Sequence, residues 1–134
     1  MLVEDEMISR RVVTKALAEH GYQVWHARTG TEAMAMFYDA NPDLMVLDLS
    51  LINDDPFCSA WDGFGVMGWL RLNYPKDAIP VVVHTVSNSP VIAERAKAAG
   101  ACAVILKSNP IEALLLTIRA ALDARKTSQE SDAA

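Results

Sequence analysis

The sequence has few cysteines, no long apolar run and no excess of basic residues. Its two cysteines, Cys58 and Cys102, lie far apart and outside any Cys/His ligand spacing, which excludes a disulfide framework and a zinc site. No stretch approaches the roughly 18 consecutive apolar residues of a membrane span, and no basic segment precedes an apolar run at the N-terminus. We therefore expect a cytoplasmic protein that makes no membrane contact.

Basic residues are also too few and too scattered for a nucleic-acid surface. Lys and Arg number 12 against 17 Asp and Glu, giving a formal net charge of -5. Direct nucleic-acid binding requires a basic stripe along the phosphate backbone, so a cation or a protein is the expected partner. The 134 residues, 51% hydrophobic and 22% charged, fit one globular domain rather than a disordered chain.

Short apolar runs alternate with helical periodicity, a pattern typical of β/α units around a parallel sheet. Strands are predicted at 1–3, 23–26, 44–47, 81–84 and 103–106, and helices at 6–20, 31–39, 63–73, 90–100 and from 110 onward. The first helix is predicted to bury one stripe, formed by Ile8, Val12, Val13, Ala16 and Leu17. The composition becomes polar after residue 125, so we expect a domain over 1–125 and a tail or the start of a linker over 126–134.

Polar side chains follow four of the five predicted strands. Glu4 and Asp5 follow the first strand, Asp48 the third, Thr85 the fourth and Lys107 the fifth. Ligands of doubly wound parallel sheets bind outside the carboxyl ends of the strands, so we expect these residues to share one rim. Three neighbouring carboxylates favour a hard cation such as Mg²⁺, and an activated Asp48 would form an aspartyl-phosphate. In that chemistry Lys107 neutralises phosphoryl charge and Thr85 donates a hydrogen bond.

The same residues make the chain resemble the receiver domains of two-component response regulators. The resemblance extends from Met1 to about Arg125. It rests on five segments: Leu2 to Glu6, Pro42 to Leu49, Asp62-Gly63, Val82 to Thr85, and Ala98 to Lys107.

The resemblance implies an α/β fold, a doubly wound, flavodoxin-like, five-stranded parallel sheet with strand order 2-1-3-4-5. It further implies that Glu4 and Asp5 are the metal-side acids, Asp48 the phosphoacceptor, and Ser50 a metal ligand through its backbone carbonyl. Thr85 would be the switch residue and Lys107 the phosphate-binding lysine. The implied cofactor is Mg²⁺. The implied partner is a sensor histidine kinase or a histidine phosphotransfer protein, with a homodimer or a linked output domain also compatible.

Several positions depart from the pattern of that family. Ile52 replaces the usual proline after the phosphoacceptor, and the loop from Ser50 to Trp61 is longer than usual by roughly seven residues. Val86 follows the switch residue where a small residue is usual, and is expected to narrow the entrance for small phosphodonors. Val104 replaces the aromatic switch residue, and Lys107-Ser108 replaces Lys-Pro, so the usual Thr/Tyr-coupled switch is not expected.

These departures keep a second function open, a receiver-like interaction domain that does not switch by phosphorylation. A phosphoaspartyl hydrolase would need a second Asp two positions after Asp48, where Ser50 stands. A flavin-binding flavodoxin would need a Ser/Thr/Gly-rich phosphate loop after the first strand, where acidic residues stand instead.

A few other residues have a structural and a functional interpretation. His84 is interpreted as a core histidine. Phe57, Trp61 and Trp69 either pack the long loop onto the domain or form an aromatic patch for a partner. Arg10, Arg11 and Lys15 on the first helix form a solvated face, although this helix resembles the surface on which the family docks its phosphodonor.

Overall fold

The computed structural model describes residues 1–49, 62–75 and 78–133, and these form five β/α units. In chain order the elements are β1 (Leu2–Val3), α1 (Met7–Glu19), β2 (His26–Ala27), α2 (Gly30–Ala40), β3 (Met45–Leu47), α3 (Gly63–Asn73), β4 (Val81–Thr85), α4 (Pro90–Ala98), β5 (Ala103–Leu106) and α5 (Ile111–Ala133).

The five strands form one parallel sheet with the order β2-β1-β3-β4-β5. This confirms the α/β, doubly wound fold and the strand order 2-1-3-4-5. The order reverses between β1 and β3, so the rim beside these two strands is the place where such sheets bind ligands.

Alternate residues of the central strands face opposite sides of the sheet, each covered by helices. Val46 and Val82 pack in one cluster with Val13 and Leu17 of α1 and Leu114 of α5. The other cluster joins strand residues with α2, α3 and α4; its buried members include Val3, Leu47, Val83, Phe37, Met67, Leu70 and Ala96. Burial on both faces explains why these strands are continuous apolar runs rather than alternating ones.

The second strand differs most from its predicted bounds. It was expected at 23–26, whereas β2 is His26–Ala27. In the parallel register Leu2 lies opposite His26 and Val3 opposite Ala27, so the pairing with β1 begins at His26. The bounds of β2 therefore follow its pairing with β1 rather than local propensity.

The buried face of α1 is narrower than predicted. Val13 and Leu17 are buried, but Ile8 is 65% exposed and Val12 is 52% exposed. The apolar stripe of α1 is wider than the surface that the sheet and α5 cover, so its outer edge remains at the surface.

The last helix continues through residues 126–133, where composition predicts a tail or the start of a linker. A helix is compatible with a linker, so the domain boundary at 125 stays a prediction. Arg125 anchors this part of α5, because its Nε donates to the Ala78 carbonyl at 2.7 Å and its Nη1 lies 3.2 Å from Asp43 Oδ1.

Within residues 1–49, 62–75 and 78–133, no helix combines the length and the apolar character that a membrane crossing requires.

Gly68 lies on the exposed side of α3, and a Cβ there would meet nothing within 4 Å. Gly68→Ala should raise the free energy of unfolding by about 1 kcal/mol, because glycine is a poor helix former. The matched control is Gly21→Ala. Space is equally open there, but φ is +84°, so alanine should destabilise by roughly 1 to 2 kcal/mol. Chemical denaturation measures both; a loss of stability in Gly68→Ala would contradict the argument.

Candidate functional site

The backbone register of the sheet brings four of the predicted site residues to one rim. The Asp48 amide donates to the Val3 carbonyl at 3.0 Å, which places Asp48 beside Glu4. The Lys107 amide donates to the Thr85 carbonyl at 2.7 Å, so Lys107 follows β5 at the same level of the sheet. Main-chain hydrogen bonds therefore align site residues that lie far apart in the sequence.

Three carboxylates meet at this rim. One oxygen from each of Glu4, Asp5 and Asp48 lies within 4.8 Å of the others. Glu4 and Asp48 are buried, with 2% and 3% of their surface exposed, whereas Asp5 is half-buried. The predicted acidic cluster therefore forms.

Lys107 extends its ammonium group into the cluster. Its Nζ donates to Asp48 Oδ2 at 3.1 Å and also forms a short ion pair with Glu4 Oε1. One ammonium thus faces three carboxylates, and the cluster keeps an excess of negative charge when all of them are ionised.

This environment shifts the pKa values of both long side chains. Burial, together with the neighbouring Asp48, raises the pKa of Glu4 to about 7, although Lys107 opposes the rise. Burial also acts to lower the pKa of Lys107, but its contacts with Glu4 and Asp48 outweigh it and leave this pKa raised. At neutral pH Lys107 is therefore an ammonium, while Glu4 lies near its midpoint.

The donor set fits a hard divalent cation. Glu4 Oε2 is a buried oxygen for which the described part of the chain provides no hydrogen-bond donor. A buried acceptor without a donor is unfavourable, and a cation would satisfy it. Three carboxylate oxygens at one partly open rim match Mg²⁺, which prefers few protein ligands and keeps several waters. Ser50, the fourth predicted metal ligand, lies outside the described residues.

Thr85 is at the same rim but is engaged elsewhere. It is buried at the end of β4, and its Oγ1 accepts a hydrogen bond from the Ser87 amide at 3.1 Å. Ser87 Oγ in turn accepts from the Ser89 amide at 3.3 Å. The hydroxyl of Thr85 thus begins a short chain of hydrogen bonds that leads to α4.

Gly63, the first residue of α3, packs against the backbone beside Asp48. A Cβ at Gly63 would lie 2.6 Å from Leu49 Cα and 3.0 Å from the Asp48 carbonyl oxygen. Asp62 caps the helix by accepting a hydrogen bond from the Gly65 amide at 2.7 Å. Sequence reasoning noted the Asp62-Gly63 pair only as part of a resemblance. Its physical role is to allow close contact between α3 and the backbone of Asp48 and Leu49.

Neighbouring residues settle some of the remaining interpretations. His84 is buried, and this burial lowers its pKa to about 4, as expected for a neutral core histidine. Trp69 packs edge-on against Phe37, with 5.1 Å between ring centroids, while Phe57 and Trp61 lie outside the described residues. Val86 is 74% exposed, so its effect on phosphodonors stays a prediction.

The comparisons with known proteins agree with this geometry. The family model of the response regulator receiver domain matches residues 1–119. The chain is 33% identical over 135 residues to the response regulator MprA of Mycobacterium avium, covering 99% of this chain and 54% of that protein. It is 28% identical over 122 residues to the polar-differentiation response regulator DivK of Brucella ovis, covering 91% and 94%.

A solved structure gives the same result. The BeF3-activated receiver domain of RstA from Klebsiella pneumoniae superposes with a TM-score of 0.78 at 26% identity, covering 90% of this chain and 95% of that one. The chain spans about half the length of the MprA relative that it matches.

Glu4 and His84 should give opposite pH dependences of stability. The folded protein binds a proton at Glu4 up to a pKa of about 7, above the ordinary 4.5, so this group lowers stability as pH rises between those values. The pKa of His84 falls from 6.5 to about 4, so that group raises stability as pH rises between those values. The two contributions should largely cancel between pH 4.5 and 6.5.

Substitution separates the two groups. With a chelator present, Glu4→Gln should make the unfolding free energy climb with pH relative to the parent, and His84→Gln should make it fall. Each slope can reach about 1.4 kcal/mol per pH unit. Denaturant titrations at several pH values measure the slopes, and parallel curves for the three proteins would refute the assignment.

Proposed function

The chain belongs to the response regulator receiver domain family, and on this premise we propose that it is a phosphoacceptor of a two-component phosphorelay, with Asp48 as the acceptor and Mg²⁺ as the cofactor. The observation that carries the proposal is the meeting of Glu4, Asp5, Asp48 and Lys107 at one rim. Receiver domains interact with histidine kinases or phosphotransfer proteins, and such a protein is the proposed donor. We place the reaction in the cytoplasm.

The proposed reaction is a transfer between two side chains. An Asp48 carboxylate oxygen attacks the phosphorus of a phosphohistidine, the new P–O bond forms, and the P–N bond breaks with its electron pair returning to the imidazole. Lys107, already 3.1 Å from Asp48 Oδ2, donates to the phosphoryl oxygens and balances their charge. A bound Mg²⁺, held by Glu4, Asp5 and Asp48 and, by the family resemblance, the Ser50 carbonyl, would supply further charge neutralisation.

The surface of α1 supports docking of a helical donor. Ile8 and Val12 are exposed, and Met7 beside them is 49% exposed, so an apolar stripe begins next to the acidic rim. Arg11 and Lys15 are exposed on the same helix and add positive charge. A phosphodonor domain with an apolar helix face and acidic flanks would complement this stripe.

Thr85 is proposed as the switch residue, acting through the loop before α4. If the Thr85 side chain rotates so that its hydroxyl donates to a phosphoryl oxygen on Asp48, the 3.1 Å hydrogen bond from the Ser87 amide to Thr85 Oγ1 breaks. Ser87 is bonded to the Ser89 amide, so the change is passed to the start of α4. Because Val104 offers no ring or hydroxyl, this loop is the proposed route of the response.

The second candidate is an interaction domain that does not switch by phosphorylation. Val104 favours it, since this aliphatic side chain packs against the core and leaves the aromatic position of the switch unfilled. Covalent phosphorylation of Asp48 separates the two functions. A homodimer or an output domain linked to this chain is compatible with either.

The direct test is phosphate incorporation. Incubated with Mg²⁺ and phosphoramidate or acetyl phosphate, the parent protein should gain one phosphoryl group by intact mass spectrometry, and Asp48→Asn should gain none. Asp43→Asn is the matched control, because Asp43 is 73% exposed at the opposite end of β3 and should be phosphorylated like the parent. Equal incorporation into Asp48→Asn would exclude Asp48 as the acceptor; a parent that stays unmodified both with these small donors and with a phosphorylated histidine phosphotransfer protein would favour the second candidate.

Lys107 and Thr85 should differ in what they contribute, Lys107 to the rate of phosphorylation and Thr85 to the conformational response. Lys107→Ala should slow incorporation by about two orders of magnitude, because the transferred charge loses its protein counter-charge. Thr85→Ala should still be phosphorylated but should lose the shifts of the Ser87 and Ser89 amides that BeF3⁻ or phosphate induces in NMR spectra. Thr85→Ser, which keeps the hydroxyl, should retain them. Amide shifts that persist in Thr85→Ala would place the switch elsewhere.

A further inference from the structure

Arg10 of α1 points its guanidinium back to the loop that carries the acidic pair. Its Nη1 donates to the Glu4 carbonyl at 3.2 Å and to the Asp5 carbonyl at 3.4 Å. The Arg10 amide donates to the Glu6 carbonyl at 2.9 Å. That amide hydrogen bond belongs to the first turn of α1, so the side chain itself binds two consecutive residues after β1, Glu4 and Asp5, which a solvated surface arginine would not do.

In the loop from Glu4 to Glu6, the two end residues form other hydrogen bonds, whereas the described residues provide none besides that of Arg10 to Asp5 in the middle. The Glu4 amide donates to the Ala27 carbonyl at 2.9 Å, which is the last sheet bond of this segment. Glu6 caps α1, where its carboxylate accepts from the amides of Ile8 and Ser9. Across the described ranges, Arg10 supplies the hydrogen bond that Asp5 receives.

We infer that Arg10 is a positioning residue, which holds the Glu4 and Asp5 carbonyls so that both carboxylates stay beside Asp48 and bind a divalent cation. The inference rests on the proposed function of the rim. It concerns the backbone of the acidic pair rather than a direct contact with the cation, and groups of this kind tune metal affinity by orienting the ligands.

Loss of the positive charge of Arg10 and loss of its hydrogen bonds to the Glu4 and Asp5 carbonyls should change the Mg²⁺ affinity in opposite directions. A guanidinium near an acidic rim repels a cation, so a variant that only lost this charge would bind Mg²⁺ more tightly, by about twofold at a separation of several ångströms in water. A variant that lost the positioning of two ligands should bind Mg²⁺ more weakly, on the order of tenfold.

The experiment compares Arg10→Gln with Arg11→Gln, its neighbour of equal charge, which is exposed and for which the described residues show no hydrogen bond from the side chain. Mg²⁺ is titrated into each full chain and followed by NMR amide shifts. We expect Arg11→Gln to bind as tightly as the parent or slightly more tightly, and Arg10→Gln to bind about tenfold more weakly. Arg10→Lys, which keeps a cationic donor, should recover part of the affinity.

Amide hydrogen exchange in a chelator gives a readout that needs no metal. The amides of Glu4, which donates to the Ala27 carbonyl, and of Ser9, which donates to the Glu6 carboxylate, flank this loop; both should exchange faster in Arg10→Gln and should be unchanged in Arg11→Gln. Tighter or equal Mg²⁺ binding by Arg10→Gln, or unchanged exchange of the two amides, would overturn the inference. A parent protein that binds no Mg²⁺ would instead count against the proposed function, while the exchange data would still decide the role of Arg10.

Discussion

The Lys107 ammonium between the carboxylates of Glu4 and Asp48 is the interaction on which the rest of the rim depends. Removing these charges from water is costly, and their mutual attraction offsets that cost only when opposite charges are held in contact. The contact is held by the backbone, because Lys107 is bonded to the Thr85 carbonyl and Asp48 to the Val3 carbonyl. The parallel register that builds the sheet therefore also assembles the charged cluster.

The cluster keeps an excess of negative charge after this pairing, and negative charge favours the binding of a cation. Glu4 has a raised pKa and a buried oxygen without a donor among the described residues, so the rim without a cation is less stable than its ion pairs alone would suggest. A cation that satisfies the oxygen and separates the carboxylates relieves both costs at once. Local instability of this kind is typical of sites that bind a charged ligand.

Much of the fold and of the rim could be predicted from sequence, because both follow from where apolar runs end. Asp48 and Lys107 could be assigned in this way, since parallel strands deliver the residues after them to one edge. Tertiary context decided the rest: the bounds of β2 follow its pairing with β1, and Val13 is buried whereas Val12 on the same helix is exposed. The contact of Arg10 with two carbonyls depends on a side-chain direction that no sequence pattern encodes.

The energetics of α4 explain how a response could leave the rim without an aromatic switch residue. Only Ala96 of this helix is buried, whereas α3 buries Gly63, Val66, Met67 and Leu70. The side chain of Ser89, the residue before α4, forms no capping hydrogen bond, and Arg95 stacks on the Phe64 ring 3.8 Å from its centroid. A helix with little buried surface and a weak cap moves at low cost. The hydrogen bonds from Thr85 through Ser87 to Ser89 therefore end at a helix that buries a single residue.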